Sequence, residues 1–429
     1  MRRQVFSLKM IFLYMMAMIA LTLSTGAAKK TLTIHPWSSM GERVPGSIME
    51  EIVAEYEALN PDVEIEIIGK IPNYEFLMKL MLMPQMPDIV ECHLDWFPEL
   101  MAAGIPVPLP PYLDAEARRF FLAPTLQPLI HHGRLYGIPT TYVLYSLGYH
   151  QDLFDGIGLD RVPQTWRELE QAARKATTFH ADGSIARAGL LIPGARWTTA
   201  GESHTKIFIG LLRSNGGYYL DDQGQPGLDK PEAVETLSFM ADLVRNNIAI
   251  ADGWRDFAKQ RSVMAIIPNY DRPGFQATMG ESFNLMKTAL IPRGKGDFAT
   301  TQFGWGYFVP DTAQYPEEAW KFLEWYTMKQ TSEGLTWLGK ALALRYVPTN
   351  PIDMRVVRQQ MVSEPFWEGF IKAMEFATPE PAFPQIFKRW ELMGAALQPV
   401  MRLQRPPLEG LRQAQHSIAA LMKEILGGS

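Results

Sequence analysis

Aromatic and carboxylate residues recur just beyond strand-like segments of this chain, and that pairing suits recognition of a sugar or polyol. Such a molecule presents apolar ring faces and a rim of hydroxyls. A site for it needs flat aromatic surfaces for stacking and carboxylates, amides or guanidinium groups for paired hydrogen bonds. Trp37 closes the first strand-like segment, and Glu42 sits in the loop that follows, where it either accepts hydroxyls or is a solvated loop charge. Asp95 and Trp96 follow the third such segment. The Asp95 carboxylate either meets a ligand or caps the helix that starts near Phe97. Trp305 lies between Gly304 and Gly306, and flanking glycines let a backbone approach a bound molecule closely. Arg345 carries a forked guanidinium suited to paired hydroxyls, a carboxylate or a phosphate, or else to a surface ion pair. Arg196, Trp197, His204 and Lys206 precede Gly216-Gly217, and one of them is expected to face the site, with His204 the candidate. If His204, Lys206 and Arg345 all pointed inward, the solute would be anionic, such as a uronate or a glycerol phosphate.

Motifs for other chemistry are missing. The sequence holds no G-x-S-x-G elbow, P-loop, H-E-x-x-H or G-x-G-x-x-G motif. The turn at Asp221-Asp222 lacks the ligand spacing of a calcium loop. One cysteine, scattered histidines and the adjacent pair His131-His132 suggest no metal site, and no cofactor is expected. Two carboxylates in a cleft, Asp95 with Glu42 or Asp271, would on paper serve a carbohydrate-active enzyme, which stands as the alternative to a binding protein.

Alternating strands and helices must position these residues. Thr31 to Ile34, Val63 to Ile68 and Asp88 to Cys92 read as strands, with helical spacing over Ile48 to Tyr56 and Phe76 to Met83 between them. That order predicts an α/β fold with a parallel sheet covered by helices. Leu135 to Tyr149 is a β-rich stretch longer than a usual strand. Helices are predicted over Trp166 to Thr177, opened by the capping-box pair Thr165 and Glu168, over Pro231 to Val244 and over Pro316 to Met328.

The first 28 residues read as a cleavable secretory signal. Arg2, Arg3 and Lys9 precede an uncharged run from Met10 to Leu23, and small residues follow up to Ala28. Removing 1–28 takes the formal charge from -5 to -8, a balance that argues against nucleic acid and anionic membrane as partners. The single cysteine, Cys92, excludes an intramolecular disulfide. A soluble periplasmic monomer is expected.

Several ordered segments together resemble the extracellular solute-binding proteins that include the maltose-type sugar receptors. They are Trp37-Ser38-Ser39, Asn60-Pro61-Asp62-Val63, Pro87-Asp88-Ile89-Val90 through Asp95-Trp96, and Gly133-Arg134-Leu135-Tyr136-Gly137-Ile138-Pro139. Further on come Asn215-Gly216-Gly217-Tyr218, Ser262 to Ile266 leading to Tyr270, Ile291-Pro292-Arg293-Gly294, Phe303-Gly304-Trp305-Gly306, and Pro384-Gln385 with Trp390. The resemblance implies two α/β lobes of the periplasmic binding-protein fold, with three crossings and a ligand cleft between them. Lobe one would be residues 29–142 plus 289–327 and lobe two 143–288 plus 328–429, the chain crossing near Tyr142, Ala289 and Met328. It implies that Asp95 contacts the ligand, that Tyr270 and Trp390 stack on it, and that Tyr142 lies on the cleft floor or packs the hinge. Asp271 next to Tyr270 either joins the site or pairs with Arg272. The implied partner is the permease of an ABC importer. Cys92 stands where maltose-type receptors place an aromatic, which argues against maltodextrin itself.

Overall fold

The computed structural model describes residues 29–36, 47–68, 78–79, 81–192, 201–251, 253, 255–342, 346–360 and 363–427. The expected leader 1–28, Trp37, Glu42, Arg196, Trp197 and Arg345 lie outside the described residues.

Among the described residues the chain builds two large sheets, each with its own buried apolar cluster, and two small two-stranded sheets. The first orders its strands Val63–Ile67, Lys30–His35, Ile89–His93, Trp305–Phe308 and Ile138–Pro139. Its three N-terminal strands run parallel, as strand-helix-strand units require, but Trp305–Phe308 runs antiparallel to both neighbours. The sheet is therefore mixed rather than purely parallel, because that strand enters from the other lobe. Burial follows position in the sheet. In the edge strand Val63–Ile67, Val63 and Ile65 are buried while Glu64 and Glu66 are exposed; in the inner strand Ile89–His93 every residue is buried. Glu91 is tolerated there because its carboxylate accepts a 2.7 Å hydrogen bond from the Thr140 hydroxyl.

The second sheet orders Ala249–Ala251, Ile185–Ile192, Ser262–Pro268, Tyr145–His150 and Met286–Ala289. The helix Trp166–Ala176 packs on it and carries the expected capping box between Thr165 and Glu168. The helix Pro316–Met328 spans the range read from sequence and belongs to the first lobe, where Phe322 meets Tyr56 at 4.9 Å between ring centres.

The long β-rich stretch serves both sheets, but not as one strand. Ile138–Pro139 pairs in the first and Tyr145–His150 in the second, with only isolated bridges at Tyr142 and Val143 between them. Asn269 pins this crossing: its side chain accepts from the Leu144 amide at 3.0 Å and donates to the Tyr142 carbonyl at 2.9 Å. The two later crossings fall further along than expected. Met286–Ala289 is an edge strand of the second sheet, and Thr300–Gln302 still packs on the second-lobe helix Glu202–Ser214, so the chain re-enters the first lobe at Phe303–Gly304 rather than Ala289. The helix Trp337–Leu342 packs on Ile48–Leu59 and Pro316–Met328, which delays the third crossing from Met328 to the Tyr142–Val347 bridge. Apolar Leu338 and Leu342 bind that helix to the first core.

Candidate interlobe binding site

The site grows from the carboxyl ends of strands, where parallel sheets open to ligands. From the first lobe, Ile89–His93 delivers His93, and the turn Leu94–Trp96 adds Asp95 and Trp96. Trp305 sits directly across from His93 in the neighbouring strand, and its backbone amide donates to the Thr141 hydroxyl at 3.0 Å. From the second lobe, the helix Glu202–Ser214 contributes Glu202 and Lys206. Glu380 follows the strand Ala377–Pro379, and the helix Ile386–Met401 carries Phe387 and Trp390.

One ammonium ties these parts together. Lys206, fully buried, donates to Asp95 Oδ2 in the first lobe and, at 2.8 Å, to Glu380 Oε1. The Trp390 indole N–H donates to the same Glu380 oxygen at 3.0 Å. The ammonium also lies 4.8 Å from the Phe303 ring centre and 4.9 Å from that of Trp390, within cation–π range. Burial alone would pull the Lys206 pKa down; the surrounding Asp95, Glu380 and Glu202 charges outweigh it and hold the pKa above its ordinary value. His93 continues the network, with Nδ1 3.4 Å from Asp95 Oδ2 and Nε2 3.3 Å from Glu202 Oε1. Burial would raise the Glu202 carboxyl, but the His93 contact and the Lys206 charge keep it below the usual range.

Aromatic rings wall this network. The His93 ring centre is 5.4 Å from those of Phe303 and Trp305, 5.9 Å from Trp96 and 6.0 Å from Trp390. Phe387 meets Trp96 at 5.3 Å across the lobes. Trp305 Nε1 and Glu380 Oε2 are among the buried polar atoms that have no hydrogen-bond partner among the described residues. A donor and an acceptor held dry and unused are costly unless something else occupies them.

The expected residues divide. Asp95, Trp96, Trp305 and Trp390 come together here, and Tyr270 reaches the rim, its ring 6.3 Å from Phe303. Asp95 is not a helix cap, since the helix Phe97–Ala102 has no side-chain cap. Tyr142 is buried in the crossing and donates its hydroxyl to Gln302, which is the hinge-packing alternative. Asp271 pairs with Arg255 at 3.2 Å and not with Arg272, whose partner is Glu364. His204 is buried on the same helix as Lys206, yet the lysine is what meets Asp95 and Glu380. Gly304 also has a different reason: a Cβ there would lie 2.1 Å from the Thr141 carbonyl oxygen, so close strand approach at the crossing demands it.

His93, Glu202, Phe303 and Glu380 were not legible as site residues. Lys206 had a signal, because a lysine among Thr205, Ile207, Phe208 and Ile209 on a helix must be exposed or paired. Glu380, between Pro379 and Pro381, lies in no periodic segment.

The model of the bacterial extracellular solute-binding proteins matches residues 41–331. The chain belongs to that family. Among curated relatives, this solute-binding protein is 23% identical over 366 residues to the maltotriose-binding protein of Pyrococcus abyssi, covering 83% of this chain and 74% of that one. The cyclic alpha-maltosyl-1,6-maltose binding protein of Arthrobacter globiformis superposes with a TM-score of 0.75 at 20% identity, covering 93% of this chain and 100% of that one. An ABC substrate-binding protein of Listeria monocytogenes, solved in complex with cycloalternan, gives 0.74 at 18% identity over 92% and 99%. The two-lobe fold of this solute-binding protein is thus that of known sugar receptors. Among its described residues, no helix is long and apolar enough to cross a membrane.

Proposed function

We propose that this solute-binding protein captures an uncharged carbohydrate between its lobes and presents the closed form to the permease of an ABC importer. The reading places it in the periplasm as a soluble monomer after removal of residues 1–28, without enzymatic activity. The observation that carries it is the aromatic-walled network joining Asp95 and Trp305 of one lobe to Glu380 and Trp390 of the other. Rings of this kind suit sugar faces, and the unused Glu380 Oε2 and Trp305 Nε1 suit a hydroxyl's donor and acceptor. The relatives named above carry oligosaccharides in their names or complexes, which supports the same solute class.

Charge favours a neutral solute over the anionic alternative. Around Lys206 stand three carboxylates, Asp95, Glu202 and Glu380, and its ammonium already donates to two of them. A uronate or glycerol phosphate would meet carboxylates there. Cys92 is buried in the first core and offers no stacking face, so the solute is proposed to differ from simple maltodextrin.

A thermal-shift panel of neutral oligosaccharides, uronates and glycerol phosphates tests this. At 100 times its dissociation constant, the true solute should stabilise the fold by about 2.7 kcal/mol. Stabilisation by anionic compounds alone overturns the proposal. So does the release of cleaved product from any oligosaccharide in the panel.

A further inference from the structure

We infer that the second lobe carries a separate surface site for a small aromatic carboxylate, away from the interlobe network. The inference goes beyond the solute-capture reading and does not depend on it. A cavity of about 320 Å³ opens between the helices Trp166–Ala176 and Pro231–Arg245 and the loop 293–295, all parts of the second lobe. That volume lies at the lower end of the range for small-molecule sites. Asn215, on the cavity wall, closes the helix Glu202–Ser214 at the end opposite Glu202. With 13 residues, that helix spans roughly 20 Å between the two places.

Hydrogen bonds hold the walls of this cavity in place. The Arg293 amide donates to the Gln164 carbonyl and the Trp166 amide to the Arg293 carbonyl, each at 3.0 Å, so the loop is tied to the start of the first helix. Buried Asn215 ties it to the second. Its side-chain oxygen accepts from the Lys295 amide at 3.2 Å, and its Nδ2 donates to Glu235 Oε2 at 3.2 Å. Gly294 permits that close approach, since a Cβ there would lie 2.6 Å from Asn215 Oδ1. A cavity framed in this way is formed before any ligand arrives, and little ordering is required on binding.

The lining combines an aromatic wall with a basic rim. Trp166 and Phe239 stack with ring centres 4.4 Å apart and planes 2° from parallel. Around them stand Arg167, Arg293 and Lys295 against one carboxylate, Glu235, on a chain whose formal charge is -5. Glu235 already neutralises Lys295, meeting its ammonium with both oxygens at 2.7 and 2.6 Å. Neither arginine has a carboxylate partner among the described residues, and Arg293 is steadied by donating Nη1 to the Gly296 carbonyl at 2.8 Å. Guanidinium forks match the two oxygens of a carboxylate. A bare acetate would leave the aromatic wall unused, and a neutral ring would leave the arginines unused. A ring that bears a carboxylate uses both, its apolar face against Trp166 and Phe239 and its charge at the arginine pair.

Calorimetric titration of the whole protein with phenylacetate, phenylacetamide and acetate tests the site. Phenylacetate should bind with a Kd of about 1 mM or tighter, and the amide and acetate about tenfold more weakly or worse. Arg167→Gln and Arg293→Gln should each weaken phenylacetate about tenfold. If Arg293→Gln fails to fold, Arg167→Gln decides, since that side chain is exposed and its loss should leave the melting temperature unchanged. Trp305→Ala, which alters the interlobe site alone, should leave phenylacetate binding as it was. No binding of phenylacetate up to about 10 mM overturns the inference, as does equal binding of the amide or full affinity in Arg167→Gln. Loss of binding in Trp305→Ala also overturns it, because the compound would then lie between the lobes. No sugar enters the experiment, so a failed carbohydrate panel and a failed second site are separate results.

Discussion

Trp305 is a residue whose neighbours argue for work beyond packing. It is half-buried, it faces His93 and Phe303 with its ring, and its indole N–H is dry without a partner among the described residues. A tryptophan serving only the core would normally find its N–H an acceptor. Trp305→Ala should therefore weaken solute binding about 10- to 100-fold, roughly 1.4 to 2.8 kcal/mol. Calorimetric titration of the solute found in the panel checks this. Unchanged affinity would return Trp305 to a packing role. Tyr142 shows the opposite case, because its hydroxyl is satisfied by Gln302 and its ring is wholly buried at the crossing.

At the scale of elements, two helices meet behind the site, and a glycine lets them. Gly201 precedes Glu202–Ser214 with φ +78°, a backbone region that L side chains rarely adopt. A Cβ there would lie 2.2 Å from the Trp390 carbonyl oxygen and 2.9 Å from Gly394. Alanine would thus push apart the helix that carries Lys206 and the helix that carries Trp390. Gly201→Ala should destabilise the fold by about 2 kcal/mol or more and weaken binding as well, read by melting and titration of the same sample. Full stability in that variant would show that the helices can separate without cost.

At the scale of the whole molecule, buried histidines make stability fall in acid. Burial pushes His35 down to about 4, against an ordinary value of 6.5, and moves His150 the same way. The folded state therefore binds fewer protons than the unfolded one between those values. That contribution is fully present above about pH 6.5 and is lost as pH falls from there toward 4, on the order of 3 kcal/mol for His35 by the time its folded form titrates. Glu202, held below the usual carboxylate range, adds a loss of the same sign at lower pH. Melting temperature should be flat from pH 8 to 7 and decline below about 6.5, with a shallower decline in His35→Leu. An identical acid limb in that variant would remove His35 from the account.

The sequence by itself determined the α/β alternation, the capped helix at Thr165, the helix Pro316–Met328 and the aromatic residues beyond the strands, because these are local matters of period, capping and residue type. It could not place the second and third crossings, since whether Thr300–Gln302 and Trp337–Leu342 lie on one lobe or the other depends on distant surfaces they cover. Nor could it assemble the charged network. Asp95, Lys206 and Glu380 are separated by more than a hundred residues, and a charge's partner is set by distance in space. What the tertiary structure decided is that these three meet where the lobes touch. A buried lysine must be paired, and the meeting of the two lobes supplies Lys206 with a partner from each side.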